Sequence, residues 1–275
     1  MTEKPILLEA MDQGVATLTL NRPAARNSLS LAMIAALHEA IDRLGDAPSV
    51  RVIVIRAEGP AFCAGHDLKE MSAARASDDR GQAFFTKTMD SCAAMMQAIV
   101  HCPKPVIAGV KGIATAAGCQ LVATCDLAIA GEEAGFATPG VNIGLFCSTP
   151  MVAVSRNMPK KRVMEMLLGG EMIDAATAAQ WGLINRVVLT EELDDTVMEL
   201  ALSIAGKSAA TLRIGKEAFY RQAEMPLEEA YRYTARVMVE NMLERDAEEG
   251  INAFIEKRVP NWEDPIRRAS GNAAE

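Results

Sequence analysis

The chain has 275 residues, half of them apolar and 23% charged, which is material for a large globular core and not for a disordered chain. A formal charge of −8 excludes nucleic acid and anionic membranes as main partners, and no apolar run reaches the roughly 18 residues of a membrane span. The opening MTEKPILLE carries neither a basic-then-apolar leader nor an Arg-rich transit pattern, so the expected address is cytoplasmic.

In chain order, VATLTL at 15–20 predicts a strand with β-branched residues at alternate positions. The turn NRP at 21–23 follows. Ser30 then predicts the N-cap of a helix in which Leu31, Ile34, Leu37, Ile41 and Leu44 keep the 3.6-residue period, with Gly45 as its stop. VRVIVI from Val50 to Ile55 predicts a buried strand, and EGPAFCAGHD a loop after it. Residues 70–100 read as helical around a polar stretch from Ser72 to Gln82. Pro103 and Pro105 introduce a strand at 105–110, Lys111-Gly112 turn the chain, and a helix of small residues begins near Ala116. DLAIAG at 126–131 predicts a further strand, and FATPGVNIGLFCSTP a loop. Beyond about residue 150 helices dominate: 162–168, AATAAQW between Asp174 and Gly182, 191–205, a helix capped by Ser208, and Leu227 to Glu244. Asp246 with Glu249 predicts a capping-box start for the last one. The shift divides the chain into a mixed core, 1–200, and a helical region, 201–275.

Absences narrow the chemistry. The chain has no G-x-G-x-x-G after a strand, no Walker A, no G-x-S-x-G and no H-E-x-x-H. His38, His66 and His101 are spaced unsuitably for a metal, and the six cysteines form no C-x-x-C pair, so no metal site is expected and the thiols read as buried and reduced. What remains is a pair of turns rich in glycine and alanine, AFCAGHDLKEM and KGIATAAGCQLVATCDLAIA, each after an apolar strand. Small residues let backbone approach a ligand, and a helix start leaves N–H groups unpaired. Two such amides aimed at one point would stabilise a thioester enolate by a few kcal/mol. Tight helix–sheet packing accounts for the same residues equally well.

At these positions the chain resembles the enoyl-CoA hydratase/isomerase (crotonase) superfamily. The resemblance rests on NRPAARNSLS, GPAFCAGHDLKEM, KPVIAGVKGIATAAGCQLVATCDLAIA and the closing AFIEKR, in that order and at suitable spacings over the whole chain. It implies an α/β fold, a spiral of ββα turns over about 1–200, followed by a helical C-terminal region that packs between subunits of a homotrimer or of a hexamer made of two trimers. It implies an acyl-CoA substrate with no permanently bound cofactor, coenzyme A entering as part of the substrate. The oxyanion amides map to His66 and Ala117. The CoA-contacting positions map to Ala24, Arg26, Ala64, Asp67, Leu68 and Lys69, with Phe254 and Lys257 reaching coenzyme A from the C-terminal segment, often on a neighbouring subunit.

The chain departs from the family pattern at two places. Hydratases of the family hold and activate water with two glutamates; the resemblance puts Gln120 at the first position and Gly140 at the second. An amide orients water without accepting its proton, and glycine offers no side chain, so general acid–base catalysis worth about 10²–10⁴-fold is missing. Restoring both, Gln120→Glu with Gly140→Glu, is expected to create or raise hydration. Asn142, Cys147, Ser148 and Thr149 follow the second position, yet no base in the sequence pairs with Cys147 or Ser148, and the bland reading is a packing loop. The His66 imidazole either lies near the acyl group or faces solvent, Asp67 braces its loop, and Asp126 reads as structural. GHDLKE, AAGCQL and FATPGVN-x-GLFCSTP also resemble the enoyl-CoA hydratase domain-containing branch of the family. Three readings stand: an acyl-CoA enzyme of hydratase or base-independent decarboxylase type, a non-catalytic acyl-CoA binding or regulatory protein, and a structural oligomer.

Overall fold

A computed structural model describes residues 4–262. The strands β1 (Leu7–Asp12) and β2 (Val15–Leu20) form a hairpin across Gln13-Gly14, both at positive φ as a two-residue turn of this kind requires. Helix α1 (Leu31–Asp46) returns the chain, with the Ser30 hydroxyl accepting from the Met33 amide as its cap. Three strand–strand–helix turns follow. The first is β3 (Val52–Ala57), β4 (Ala61–Cys63), α2 (Leu68–Ala74) and α3 (Gln82–His101); the second is β5 (Val106–Val110), β6 (Ile113–Thr115) and α4 (Ala117–Thr124). The third is β7 (Leu127–Gly131), β8 (Gly135–Ala137), a 3-10 turn over Pro139–Ile143, then α5 (Pro150–Val154) and α6 (Lys160–Gly169). The chain continues through β9 (Ile173–Asp174), α7 (Ala175–Trp181), β10 (Arg186–Val188), α8 (Leu193–Ala205), α9 (Ala209–Gln222), α10 (Leu227–Met242) and α11 (Arg245–Glu256).

Each turn gives its first strand to one sheet, ordered β1-β2-β3-β5-β7-β10, and its second to another, ordered β4-β6-β8-β9. From β2 to β10 the larger sheet is parallel. Parallel strands are covered on both faces, which is why β3 and β5 read as near-continuous apolar runs. The two-residue period assigns the faces. Ile53 and Ile55 join the main core with α1 and α3, whereas Val52 and Val54 pack with Leu193, Val197 and Ala201 of α8. Helix α8 therefore belongs to the sheet, and a boundary at residue 200 falls inside it.

Four sequence expectations shift. The presumed loop after β3 contains β4, and the one after β7 opens with β8; strands this short offer no alternation to read. The VRVIVI strand starts at Val52, since Val50 and Arg51 close the turn onto Ala47 and Gly14. At α11 the N-cap is Glu244, with no side-chain bond. Asp246 lies buried in the first turn, 3.3 Å from Arg245, and Glu249 takes Arg258 at 2.6 Å and the Asn261 amide at 2.6 Å. The chain reverses at Lys257 (φ +56), which carries Arg258 back onto Glu249 and removes it from any capping role. The last part of the predicted helical region, 263–275, lies outside the described residues.

Candidate active site

Two loops ahead of the helices build the site. Asn27, fully buried, donates to the Glu58 and Ala61 carbonyls at 2.8 Å each and accepts from the Arg22 amide at 2.7 Å. The Ala64 amide donates to the Arg26 carbonyl at 3.0 Å. Arg22 reaches Asp67 at 3.2 Å, and Ser28 donates to the same carboxylate oxygen at 3.2 Å. Asp67 also caps α2, accepting from the Lys69 amide at 3.1 Å. Burial alone would raise the Asp67 carboxyl; the Arg22, Lys69 and Ser28 donors outweigh it and hold the group below the usual range. Glu70 in turn accepts from the Leu31 amide at 3.1 Å, tying α2 to the start of α1. Sequence reasoning placed Asp67 as a brace and passed over its partners Arg22 and Ser28, and over Asn27, which fixes the loop beside them, although Arg22 and Asn27 stand in the motif NRPAARN.

The stitching orients His66. The Leu29 amide donates to Gly65 (2.8 Å) and the Asp67 amide to Leu29 (3.2 Å), so His66 is the central residue of a parallel bridge. In that geometry the ladder bonds belong to its neighbours, and the N–H of His66 points away from Leu29. The second amide is that of Ala117, the first residue of α4 and one of the four unpaired donors at a helix start. Among the described residues neither the His66 nor the Ala117 amide has a backbone or side-chain acceptor.

Glycines let the segments that carry these amides pack closely. Gly65 sits at φ +89, and a Cβ there would stand 2.9 Å from Ala116 Cβ and 3.3 Å from the Ala117 nitrogen. A Cβ on Gly118 would fall 2.1 Å from the Cys63 carbonyl oxygen, so only glycine lets α4 seat against the end of β4. Ala116, which links β6 to α4, is held at φ 50, ψ −119, a conformation that strains an L-residue.

Two uncharged polar side chains belong to the same two segments. Gln120, 4% exposed, lies one turn along α4 with Oε1 buried and unpartnered, and His66 Nε2 is likewise buried and unpartnered. Burial pushes the His66 imidazole down to about 4. Gly140 is buried in the 3-10 turn, where a Cβ would meet the Leu145 carbonyl oxygen at 2.6 Å and Cys147 Sγ at 2.9 Å. The expectation that a glutamate could simply be installed at 140 is therefore corrected: the turn closes on that position, and a side chain requires the loop to open. Cys147 is buried, which raises its thiol, and Ser148 is exposed with its hydroxyl near the Phe146 carbonyl at 3.4 Å.

Ala24, Arg26, Ala64 and Asp67 lie on the stitched segments and Leu68 and Lys69 open α2, with Ala24, Arg26, Leu68 and Lys69 exposed. Phe254 and Lys257 share no element with them. They sit on and just after α11, which packs on α9 and α10, and Phe254 is 85% exposed.

A spiral of ββα turns defines the class of fold, and sequence comparison names the family: the enoyl-CoA hydratase/isomerase profile matches residues 10–265, and the chain belongs to that family. Within it, the chain falls with the enoyl-CoA hydratase domain-containing branch. It is 45% identical to the Xenopus laevis enoyl-CoA hydratase domain-containing protein 3, mitochondrial, over 94% of this chain and 86% of that one. It is 45% identical to the Homo sapiens protein of the same name over 90% and 80%. Among solved structures, an enoyl-CoA hydratase from Mycobacterium smegmatis superposes with a TM-score of 0.90 at 51% identity, covering 94% of this chain and 99% of that chain. The human domain-containing protein 3 superposes at 0.89 and 44% identity, covering 94% and 100%. The mitochondrial names of those relatives overturn the cytoplasmic expectation. That expectation rested on the chemistry of MTEKPILLE, and an address of this kind is written outside the folded domain, whose core and site are the same in any compartment.

Proposed function

We propose that the chain binds an acyl-CoA thioester, with the His66 and Ala117 amides polarising its carbonyl oxygen and the loops bearing Ala24, Arg26, Ala64, Asp67, Leu68 and Lys69 holding the coenzyme A portion. The observation that carries this reading is the pair of unclaimed amides on adjacent segments, a Gly65 Cβ position being only 3.3 Å from the Ala117 nitrogen. Donors fixed before substrate arrives cost no reorganisation when negative charge develops on the oxygen, and one such donor is worth about 10²–10³ in rate.

Hydration is not the reaction this site performs well. Gln120 and Gly140 occupy the positions where hydratases of the family carry glutamates, and His66, held neutral by burial, is too weak a base to replace them. Chemistry that needs only the polarised thioester, such as loss of carbon dioxide from a carboxyacyl group, or binding without turnover, is consistent with this set of groups.

The test is a panel of butyryl-, crotonyl- and malonyl-CoA, with binding followed by calorimetry and products by chromatography. The expected result is saturable binding of at least one ester. Crotonyl-CoA hydration should run about 10²-fold or more below that of a relative retaining both carboxylates. Release of carbon dioxide from malonyl-CoA selects decarboxylation, and binding without any turnover selects the carrier or regulatory reading. Failure of every ester to bind sinks the proposal.

A further inference from the structure

Acidic residues outnumber basic ones 36 to 28, so cations gathered without carboxylates stand out in this chain. They do so at the starts of β3 and β5. These strands run parallel with Ile53 opposite Val106, and the Ile53 amide donates to the Pro105 carbonyl at 2.9 Å, which sets Arg51 and Lys104 side by side at the entry to the sheet. The Arg51 stem packs over Gly14, where a Cβ would stand 2.9 Å from its Cγ, and its Nη2 donates to the Lys207 carbonyl at 2.5 Å, between α8 and α9. The Lys104 carbonyl accepts from Lys216 of α9 at 2.9 Å, and Arg213 lies one turn before Lys216. Among the described residues Arg51, Lys104, Lys207 and Arg213 form no ion pair. Burial, then the charges of Arg51 and Arg213, hold the Lys104 ammonium below its usual range, and the Asp46 carboxylate at the end of α1 only partly offsets them. On the same guanidinium that meets Lys207, Arg51 Nε is buried without a hydrogen-bond partner. An unpaired buried donor and crowded like charges both lower stability, and an anion relieves both. Helix α9 adds to the field: the Ser208 cap serves Thr211, and the Ala209 and Ala210 amides have no acceptor among the described residues.

We propose that Arg51, Lys104, Arg213 and the start of α9 form a binding site for the phosphate group of a small soluble ligand. It is separate from the candidate active site, because the His66 loop follows the far end of β3, roughly 20 Å along the strand. A carboxylate offers two oxygens and one charge. A phosphate offers at least three oxygens and up to two charges, which suits guanidinium forks, an ammonium and two helix-start amides together. The charge of −8 turns away nucleic acid and anionic membranes and leaves a small anion as the occupant. Once seated, it clamps the start of α9 onto the entry of the sheet.

The test uses inorganic phosphate on the full chain. Phosphate is expected to raise the melting temperature saturably above chloride at equal ionic strength, and to show saturable binding by calorimetry. Lys104→Gln and Arg213→Gln should each weaken that binding about tenfold, the worth of one charge-assisted hydrogen bond. Arg213 is exposed, so its variant keeps the fold, and without phosphate its melting temperature stays level or rises because a like charge has gone. ADP distinguishes the source of the group: tighter binding than phosphate points to a nucleotide, equal affinity to the free anion. No effect beyond that of chloride, or binding that survives both substitutions together, overturns the site. Binding lost in Arg26→Gln with the cluster intact overturns it too, since the anion would then sit on the loops proposed for coenzyme A.

Discussion

Ala116 bears the backbone strain that aims the second amide. At φ 50, ψ −119 it holds the corner between β6 and α4, with its own amide on the Ala137 carbonyl at 2.9 Å. Strain of this kind costs on the order of 1–3 kcal/mol, and glycine gives back about 0.5–1 kcal/mol in lost chain freedom. Ala116→Gly is therefore expected to stabilise the protein by about 1 kcal/mol, read as a rise in the urea midpoint with an unchanged slope; a fall would mean the corner is not strained. His66 gives a pH test. Its imidazole titrates near 6.5 when unfolded and at about 4 when folded. Between those values the unfolded chain binds the extra proton, so stability falls as pH drops from 6.5 toward 4 and levels off below. The loss is on the order of 3 kcal/mol. Subtracting the His66→Phe curve from that of the unsubstituted protein isolates this contribution. A flat difference would place the imidazole in water.

The elements are tied together at one buried ion pair. Lys216 of α9 donates to Asp126 at 2.7 Å and to the Ile99 and Lys104 carbonyls at 3.0 and 2.9 Å. Asp126 also accepts from the Val106 amide at 2.7 Å and from the Tyr220 hydroxyl at 2.9 Å. This one carboxylate joins the starts of β5 and β7 to the helical region, and burial together with that negative charge drives the Tyr220 hydroxyl upward in pKa. Lys216→Met leaves the buried carboxylate without its counter-ion and takes a donor from two carbonyls, and is expected to cost about 3–5 kcal/mol by urea unfolding. Loss of less than about 1 kcal/mol would show the pair to be incidental. Asp126 was legible in the sequence as structural at the Cys125-Asp126 step. Lys216, 90 residues away, was not, because nothing local marks which lysine returns to the core. The same contrast holds at the site. Ser30, Asp174 and Ser208 were legible as caps since a cap is a contact within three residues. The short strands β4, β6 and β8, and the closure of the 3-10 turn on Gly140, depend on partners across the sheet or loop.

At the scale of the whole molecule, α10, α11 and the residues that follow each leave Leu227, Tyr231, Leu243, Phe254, Ile255 and Val259 facing solvent, several more than 70% exposed. A soluble monomer rarely shows so many large apolar side chains on adjoining helices, and burying one is worth about 1.5–3 kcal/mol. The trimer or hexamer that the family resemblance implies would cover them. It would also give a place to Phe254 and Lys257, which on their own chain share no element with the loops proposed to hold coenzyme A and across an interface would complete a neighbour's site. Sedimentation equilibrium is then expected to give three or six times the chain mass. Leu243→Asp with Ile255→Asp, changed on the exposed surface and not in the core, should release single chains. If the C-terminal segment serves a neighbour, the same variant also weakens butyryl-CoA binding several-fold, although every loop residue of the site is intact. A monomeric unsubstituted protein, or a dissociated variant that binds the ester as tightly as before, would confine the coenzyme A contacts to the loops around His66.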